Sequence, residues 1–236
     1  MHLRQTGSTN DRARELAAAG APHGTLVTAS SQTAGRGRGG RRWEAPANSS
    51  LLMSLVLRSS PPGGVPPTSD RPPPLLPLIA AVAVCEVAGE EAAIKWPNDI
   101  VLPRGDGLAK LGGILVEGRP QAGWAVLGIG LNVAVRLEDL PEELRAGAAT
   151  LGYSPAAIEG LLERLLEALQ RRLDQPAAAM LAAWRLRDAL HGREIAWSSG
   201  RGRAEGIDDT GRLVVALPGG GHITLDAGEV HLEPVG

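Results

Sequence analysis

Ile158, Leu161, Leu162, Leu165, Leu166 and Leu169 recur every three to four positions, the spacing that lays one apolar stripe along an α-helix. Ser154 reads as its cap, and Pro155 suits the first helical turn. A stripe of this kind must be covered, and a second helix over residues 177–190, closed by Gly192, is expected to pack beside it. These helices divide the chain into two regions of different pattern. Before them, Ser8-Thr9-Asn10 precedes a helix over 11–20, with Ala13, Leu16 and Ala17 on one face and Gly20 able to close it. Residues 25–31 and 50–58 read as strands, 75–89 as a helix, and 93–96, 100–102, 113–117 and 123–131 as short strands. Several strands with few helices predict an α+β fold, a mixed β-sheet with flanking helices, rather than a regular βαβ series. After Gly192, alternating runs separated by glycine-rich turns predict a small β-barrel. The expected division is therefore 1–191 and 192–236.

Composition narrows the function. The 236 residues are 43% hydrophobic and 21% charged, which fits a globular chain rather than a disordered one. A formal net charge of −2 argues against a general nucleic-acid binder, which needs a broad basic face. Cys85 is the only cysteine and lies in an apolar run, so no internal disulfide forms and the side chain reads as a small buried hydrophobe. The five histidines show no ligand spacing, so no metal held by protein alone is expected. No signal peptide or membrane-spanning run is visible, which predicts a cytoplasmic protein without a membrane partner. Residues 59–74 hold seven of the 18 prolines and read as an extended surface loop.

Against that background, residues 34–43, AGRGRGGRRW, place Arg36, Arg38, Arg41 and Arg42 among four glycines between two strands. Glycines let a backbone close on a ligand, and guanidinium forks suit carboxylate and phosphate oxygens. The loop is suited to a small polyanion. Gly35-x-Gly37-x-x-Gly40 also fits the dinucleotide fingerprint, but no helix opens after it and no acidic residue stands near Ser60, so that reading is set aside. Three further clusters mix cations, amides and glycines: KWPND (95–99), KLGGIL (110–115) and GIGLN (128–132).

With GSTN (7–10), these segments together closely resemble the biotin protein ligases, in order and in spacing. The resemblance implies a biotin/lipoate ligase-like, class II synthetase-like catalytic fold and an SH3-like C-terminal barrel. It also implies ATP and biotin as substrates, Mg²⁺ arriving with ATP, and a carrier partner, the biotin carboxyl carrier domain of an acyl-CoA carboxylase. By resemblance Ser8, Thr9, Asn10, Gln32, Gly35, Arg36, Gly37, Arg38, Trp43, Lys110, Gly112 and Gly113 bind biotin. Arg38, Arg41, Trp43, Lys95, Asn98, Lys110 and Asn132 serve ATP, and Arg38, Lys110 and Asp99 are catalytic. Many relatives carry an N-terminal operator-binding domain, whereas GSTN here begins within ten residues of the start; the expectation is a monofunctional ligase that binds no DNA. A lipoate ligase-like acyltransferase and an RNA-binding use of the arginine loop are the alternatives, and monomer and weak homodimer both stay open.

Overall fold

The structure is a computed structural model that describes residues 1–58, 75–119, 123–226 and 228–233. The expected proline-rich loop at 59–74 lies outside the described residues. In chain order the first elements are β1 (His2–Leu3), α1 (Thr9–Ala18), β2 (Leu26–Ala29), β3 (Ser50–Arg58), α2 (Leu76–Ala88), β4 (Ala93–Lys95), β5 (Asp99–Arg104), β6 (Gly107–Arg119) and β7 (Trp124–Asn132). Then come α3 (Glu142–Arg145), α4 (Ala157–Asp174) and α5 (Ala177–Arg185), followed by β8 (Glu194–Trp197), β9 (Gly200–Ile207), β10 (Leu213–Ala216), β11 (His222–Leu225) and β12 (His231–Leu232). The chain forms two compact units, Met1–Asp70 with Lys110–Leu166, and Arg71–Ala109 with Glu167–Gly236.

In the first unit the strand order is β1-β2-β3-β7-β6. β1 runs parallel to β2 and the other pairs are antiparallel, so the sheet is mixed. β3 occupies the middle, and every residue of it from Ser50 to Val56 is buried, as expected of a strand covered on both faces. α1 lies on one of those faces. Its small residues Ala13 and Ala17 let it approach Val27, Val56, Trp124 and Val126, and each fully buried valine contributes about 1.5–3 kcal/mol relative to exposure. Gly20, at φ +90°, closes the helix, with the Ala21 amide returning to the Leu16 carbonyl. α1 begins earlier than its sequence implies: Thr9 and Asn10 lie inside it, and Ser8 at the cap position makes no side-chain capping bond. Of the polar side chains at this start, those of Thr9 and Asn10 are held by other segments instead.

In the second unit α2 is buried at every position from Leu78 to Cys85, and burial pushes the Cys85 thiol up to about 12, which fits an inert hydrophobe. Glu86 pairs with Arg171 and Arg172. Arg187 donates to the carbonyls of Gly89, Glu90 and Ala92 just beyond the end of α2. α5 ends at Arg185 rather than at Leu190, and Gly192 does not close it. The cause is a competing partner: Arg187 accepts from the Ile94 amide and Ala189 donates to the Ile94 carbonyl, so the chain leaves the helix to run beside β4. α4 likewise starts at Ala157, after a turn in which Ala157 and Ile158 donate to the Ser154 and Pro155 carbonyls. The C-terminal strands form one antiparallel sheet in the order β11-β10-β9-β8-β12, with the alternating burial of a sheet covered on one face.

The β9–β10 turn is built around Asp208. Burial would raise its carboxyl, but hydrogen bonds from Thr210 and Arg212 outweigh that and bring it down to about 2. The turn delivers Gly211, whose carbonyl accepts from Trp96 Nε1 at 3.1 Å. A methyl group at Gly211 would stand 2.7 Å from Leu78 and 2.9 Å from Leu75, at a φ of +85°. Gly211→Ala therefore combines left-handed strain with overpacking and is expected to lower unfolding stability by about 2–4 kcal/mol, as measured by urea denaturation; a loss below about 0.5 kcal/mol would show that the turn is not clamped.

Candidate functional site

Residues 34–43 fold back on themselves. The Gly37 amide donates to the Arg41 carbonyl at 2.7 Å, the Trp43 amide to the Gly35 carbonyl at 3.0 Å, and Arg36 bridges Arg42 in an antiparallel pairing. A 3₁₀ turn, Arg38–Gly40, forms the tip. Arg41 Nε donates to the Arg38 carbonyl and Arg42 to the Thr33 carbonyl, so part of the arginine inventory shapes the loop itself.

The loop ends on Trp43, and the sheet is shaped to receive it. Gly113 of β6 and Gly130 of β7 are direct cross-strand partners. A methyl group at Gly130 would stand 2.7 Å from the Trp43 ring, and one at Gly113 would stand 3.3 Å from the ring, 3.4 Å from Lys110 Cε and 3.6 Å from Lys110 Nζ. The indole thus rests on bare backbone, and the Lys110 ammonium reaches the same spot. Trp43 Nε1 is enclosed with no hydrogen-bond partner among the described residues, at a cost of about 1–3 kcal/mol. Lys110 is placed by its own backbone, which donates to the Gly147 carbonyl and accepts from the Ala149 amide, both at 2.7 Å.

Beside this floor lies a buried polar network. Thr9 donates its amide to Gln32 Oε1 at 2.7 Å, and its hydroxyl lies 3.1 Å from the same oxygen. Asn10 Oδ1 accepts from the Ser54 hydroxyl at 2.6 Å, while Asn10 Nδ2 donates to Glu117 Oε2 at 3.0 Å. Any side chain at Gly128 would overlap Asn10 Oδ1. Asn132 is also committed internally, donating to the Ala149 carbonyl and accepting from Ser50. Asn10, Gln32 and Asn132, assigned from sequence to ligands, thus already bond other parts of the protein.

Arg36 has a similar outcome. Its guanidinium donates to Asp11 Oδ1 at 2.9 Å and to Glu117 Oε1 at 2.7 Å, and Arg14 stands 3.3 Å and 3.8 Å from the same two oxygens. Two cations face two carboxylates, so the cluster is charge-balanced. Asp11, Ser54 and Glu117 were not among the residues singled out from sequence, and Gly128 and Gly130 were read only as part of GIGLN, without a role of their own. Part of the signal was there, because Gly128, Gly130 and Asn132 alternate along β7 and so share one face, with Gly113 paired to it from β6. The acidic partners left no comparable mark, since Glu117 is 81 residues from Arg36.

In the second unit, Lys95 and Asp99 are opposite one another in the β4–β5 hairpin. Trp96 and Asn98 are buried between them. Ser8, Thr9, Asn10, Gln32, Gly35, Arg36, Gly37, Arg38, Arg41, Trp43, Lys110, Gly112, Gly113 and Asn132 all belong to the first unit. Among the described residues no group of three or more His, Cys, Asp or Glu is arranged to hold a metal ion, and no helix is long and apolar enough to cross a membrane.

Residues 3–133 match the biotin/lipoate A/B protein ligase family, and residues 193–232 match the biotin protein ligase C-terminal domain. The bifunctional ligase/repressor BirA of Bacillus subtilis is 39% identical over 70% of this chain and 50% of its own length. The biotin–acetyl-CoA-carboxylase ligase of Mycobacterium tuberculosis is 36% identical over 97% of this chain and 87% of its own. The chain spans about half the length of the Bacillus relatives that it matches. The fold is similar to that of the biotin protein ligase from Aquifex aeolicus in complex with biotin and ATP, with a TM-score of 0.78 at 24% identity over 100% of this chain and 98% of that one.

Gly130→Ala tests the floor. Its methyl group would displace the Trp43 ring at an overpacking cost of about 1–3 kcal/mol, borne mainly by the loop rather than by the sheet. Trypsin should then cleave after Arg41 and Arg42 roughly fivefold faster or more, with a changed near-ultraviolet circular dichroism signal. Unchanged cleavage and spectrum would show that the indole does not rest there.

Proposed function

The chain belongs to the biotin/lipoate A/B protein ligase family, and from that premise we propose that it activates biotin with ATP and transfers the biotinyl group to a lysine of the biotin carboxyl carrier domain of an acyl-CoA carboxylase. One observation carries the reading: Trp43, at the end of the arginine–glycine loop, and Lys110 converge over the Gly113–Gly130 pair. There a flat ring lies on bare backbone with a cation beside it. That arrangement suits a substrate with an apolar body and an anionic end.

The chemistry is a displacement at phosphorus followed by acyl transfer. A biotin carboxylate oxygen attacks the α-phosphorus of ATP, the bond to the β-phosphate breaks, and pyrophosphate departs with the electron pair. Both reactants are anions, so Lys110 and Arg38 would offset their repulsion and stabilise the charge that builds on the α-phosphate. Mg²⁺ belongs to the nucleotide substrate in this reading. Residues 34–43 would then shield the mixed anhydride from water. The carrier lysine, ordinarily protonated at neutral pH with a pKa of about 10.4, first loses a proton; the free amine then attacks the acyl carbon, the bond to the AMP oxygen breaks, and AMP departs as the new amide nitrogen sheds its second proton. Asp99 is assigned to accept the first proton. Ser8, Thr9, Gln32, Gly35 and Gly112 would line the biotin site, and Lys95, Asn98 and Asn132 would serve the nucleotide. The cytoplasm, where ATP and apo-carrier meet, is the proposed location. Relatives named for biotin disfavour the lipoate alternative, and the charge balance of Arg36 with Asp11 and Glu117 disfavours RNA binding.

Incubation with ATP, Mg²⁺ and biotin should yield biotinyl-AMP by mass spectrometry, with lipoate giving far less adduct; acyl-AMP from lipoate alone would overturn the choice of acid. Lys110→Ala should slow biotin-dependent exchange of pyrophosphate into ATP about a hundredfold, the scale of losing one transition-state donor. Asp99→Asn should form adenylate more readily than it transfers biotin in a single turnover. An equal fall in both steps would instead assign Asp99 to bracing its turn.

A further inference from the structure

Glu117 lies on the face of β6 that carries Gly113, two alternations along the strand, and it is largely covered, with 19% of its side chain exposed. Both of its oxygens are engaged, and by different segments. Oε1 accepts from Arg36 of the arginine–glycine loop at 2.7 Å, and Oε2 accepts from Asn10 of GSTN at 3.0 Å. Asp11 takes the other guanidinium nitrogen of Arg36 at 2.9 Å. Asn10 is itself immobilised by Ser54 and by its seat on Gly128, so Glu117 is a rigid strut with little freedom to follow a moving loop.

We propose that Glu117 and Asp11 are positioning residues that hold Arg36 as the hinge anchor of the loop, so that the loop and the GSTN segment are set by one carboxylate. Arg36 is then not a ligand for the substrate's anionic end: its charge is matched by two carboxylates, and swinging away from them would strip both of the partner that Arg14 alone replaces at longer range. The assignment rests on the biotin ligase reading for its kinetic part only. Arg36 with Glu117, and Arg36 with Asp11, are partly solvated pairs, which individually stabilise by about 0–1 kcal/mol, but two bonds made by one guanidinium at a hinge add to a useful constraint.

The test uses the whole chain and the variants Glu117→Gln and Asp11→Asn, which keep size and lose charge, and Arg36→Met. If the anchor reading holds, Glu117→Gln raises the KM for biotin roughly five- to tenfold with kcat within twofold, and speeds tryptic cleavage of the loop by a similar factor at unchanged Tm. In an Arg36→Met background the same substitution should add nothing to the rate of loop cleavage, because the hydrogen-bond partner left to Glu117, Asn10, lies outside the loop. Were Arg36 instead a substrate arginine restrained by Glu117, Glu117→Gln would lower the KM for biotin, and that result overturns the proposal. So does cleavage of the loop at the wild-type rate. Should the chain form no biotinyl-AMP at all, the ligase reading fails, while the proteolysis of the unliganded variants still decides the anchor.

Discussion

The arrangement depends on one register. With β3, β7 and β6 paired as they are, Gly113 faces Gly130 across the strands, and Gly128 lies beside Ser54 and Leu115. Three positions on one face of a sheet therefore lack side chains, and the bare backbone there accepts what the loops bring: Trp43 over Gly113 and Gly130, and Asn10 over Gly128. A slip of one residue would turn all three glycines to the other face and put their bulkier neighbours in the way. The buried, tightly paired β3 is what makes such a slip costly.

That register was only partly legible. The strand Ser50–Arg58 emerges from sequence with its true limits because polar residues bracket an apolar run that only Ser54 interrupts. The outline of an α+β fold with a mixed sheet, and five C-terminal strands, also followed from local pattern. What failed locally did so for long-range reasons. Residues 186–190 keep helix-like spacing, yet Arg187 and Ala189 bond Ile94 instead of continuing the helix, and nothing near them announces it. Thr9 and Asn10 look like a cap because they are polar and precede an amphipathic segment, but their acceptors and donors come from Gln32, Ser54 and Glu117, between 23 and 107 residues away.

Charge was the least legible property of the site. A tally of arginines in residues 34–43 suggests a uniformly cationic loop, whereas the structure sorts it by partner. Arg36 is neutralised by Asp11 and Glu117, Arg42 bonds the Thr33 carbonyl, and Arg41 closes back on Arg38. Sequence reports how much charge a loop has, but only the fold reports how much of it is already spoken for. A residue such as Glu117, unremarkable as the seventh letter after Lys110 opens its motif, gains its importance from who stands opposite.

The turn at Asp208 to Gly211 has a consequence for how the chain can be divided. The carbonyl that satisfies the Trp96 indole comes from this turn, and the same residue has no room for a methyl group beside Leu75 and Leu78 of the α2 region. A cut at 191, placed where the helices give way to strands, would leave a buried indole donor without its acceptor and expose an apolar patch at the start of a helix that is buried along most of its length. The C-terminal sheet is therefore less a detachable module than the lid of the KWPND hairpin. Grafts or circular permutations of this scaffold should keep that turn and hairpin together, whatever order the chain visits them in.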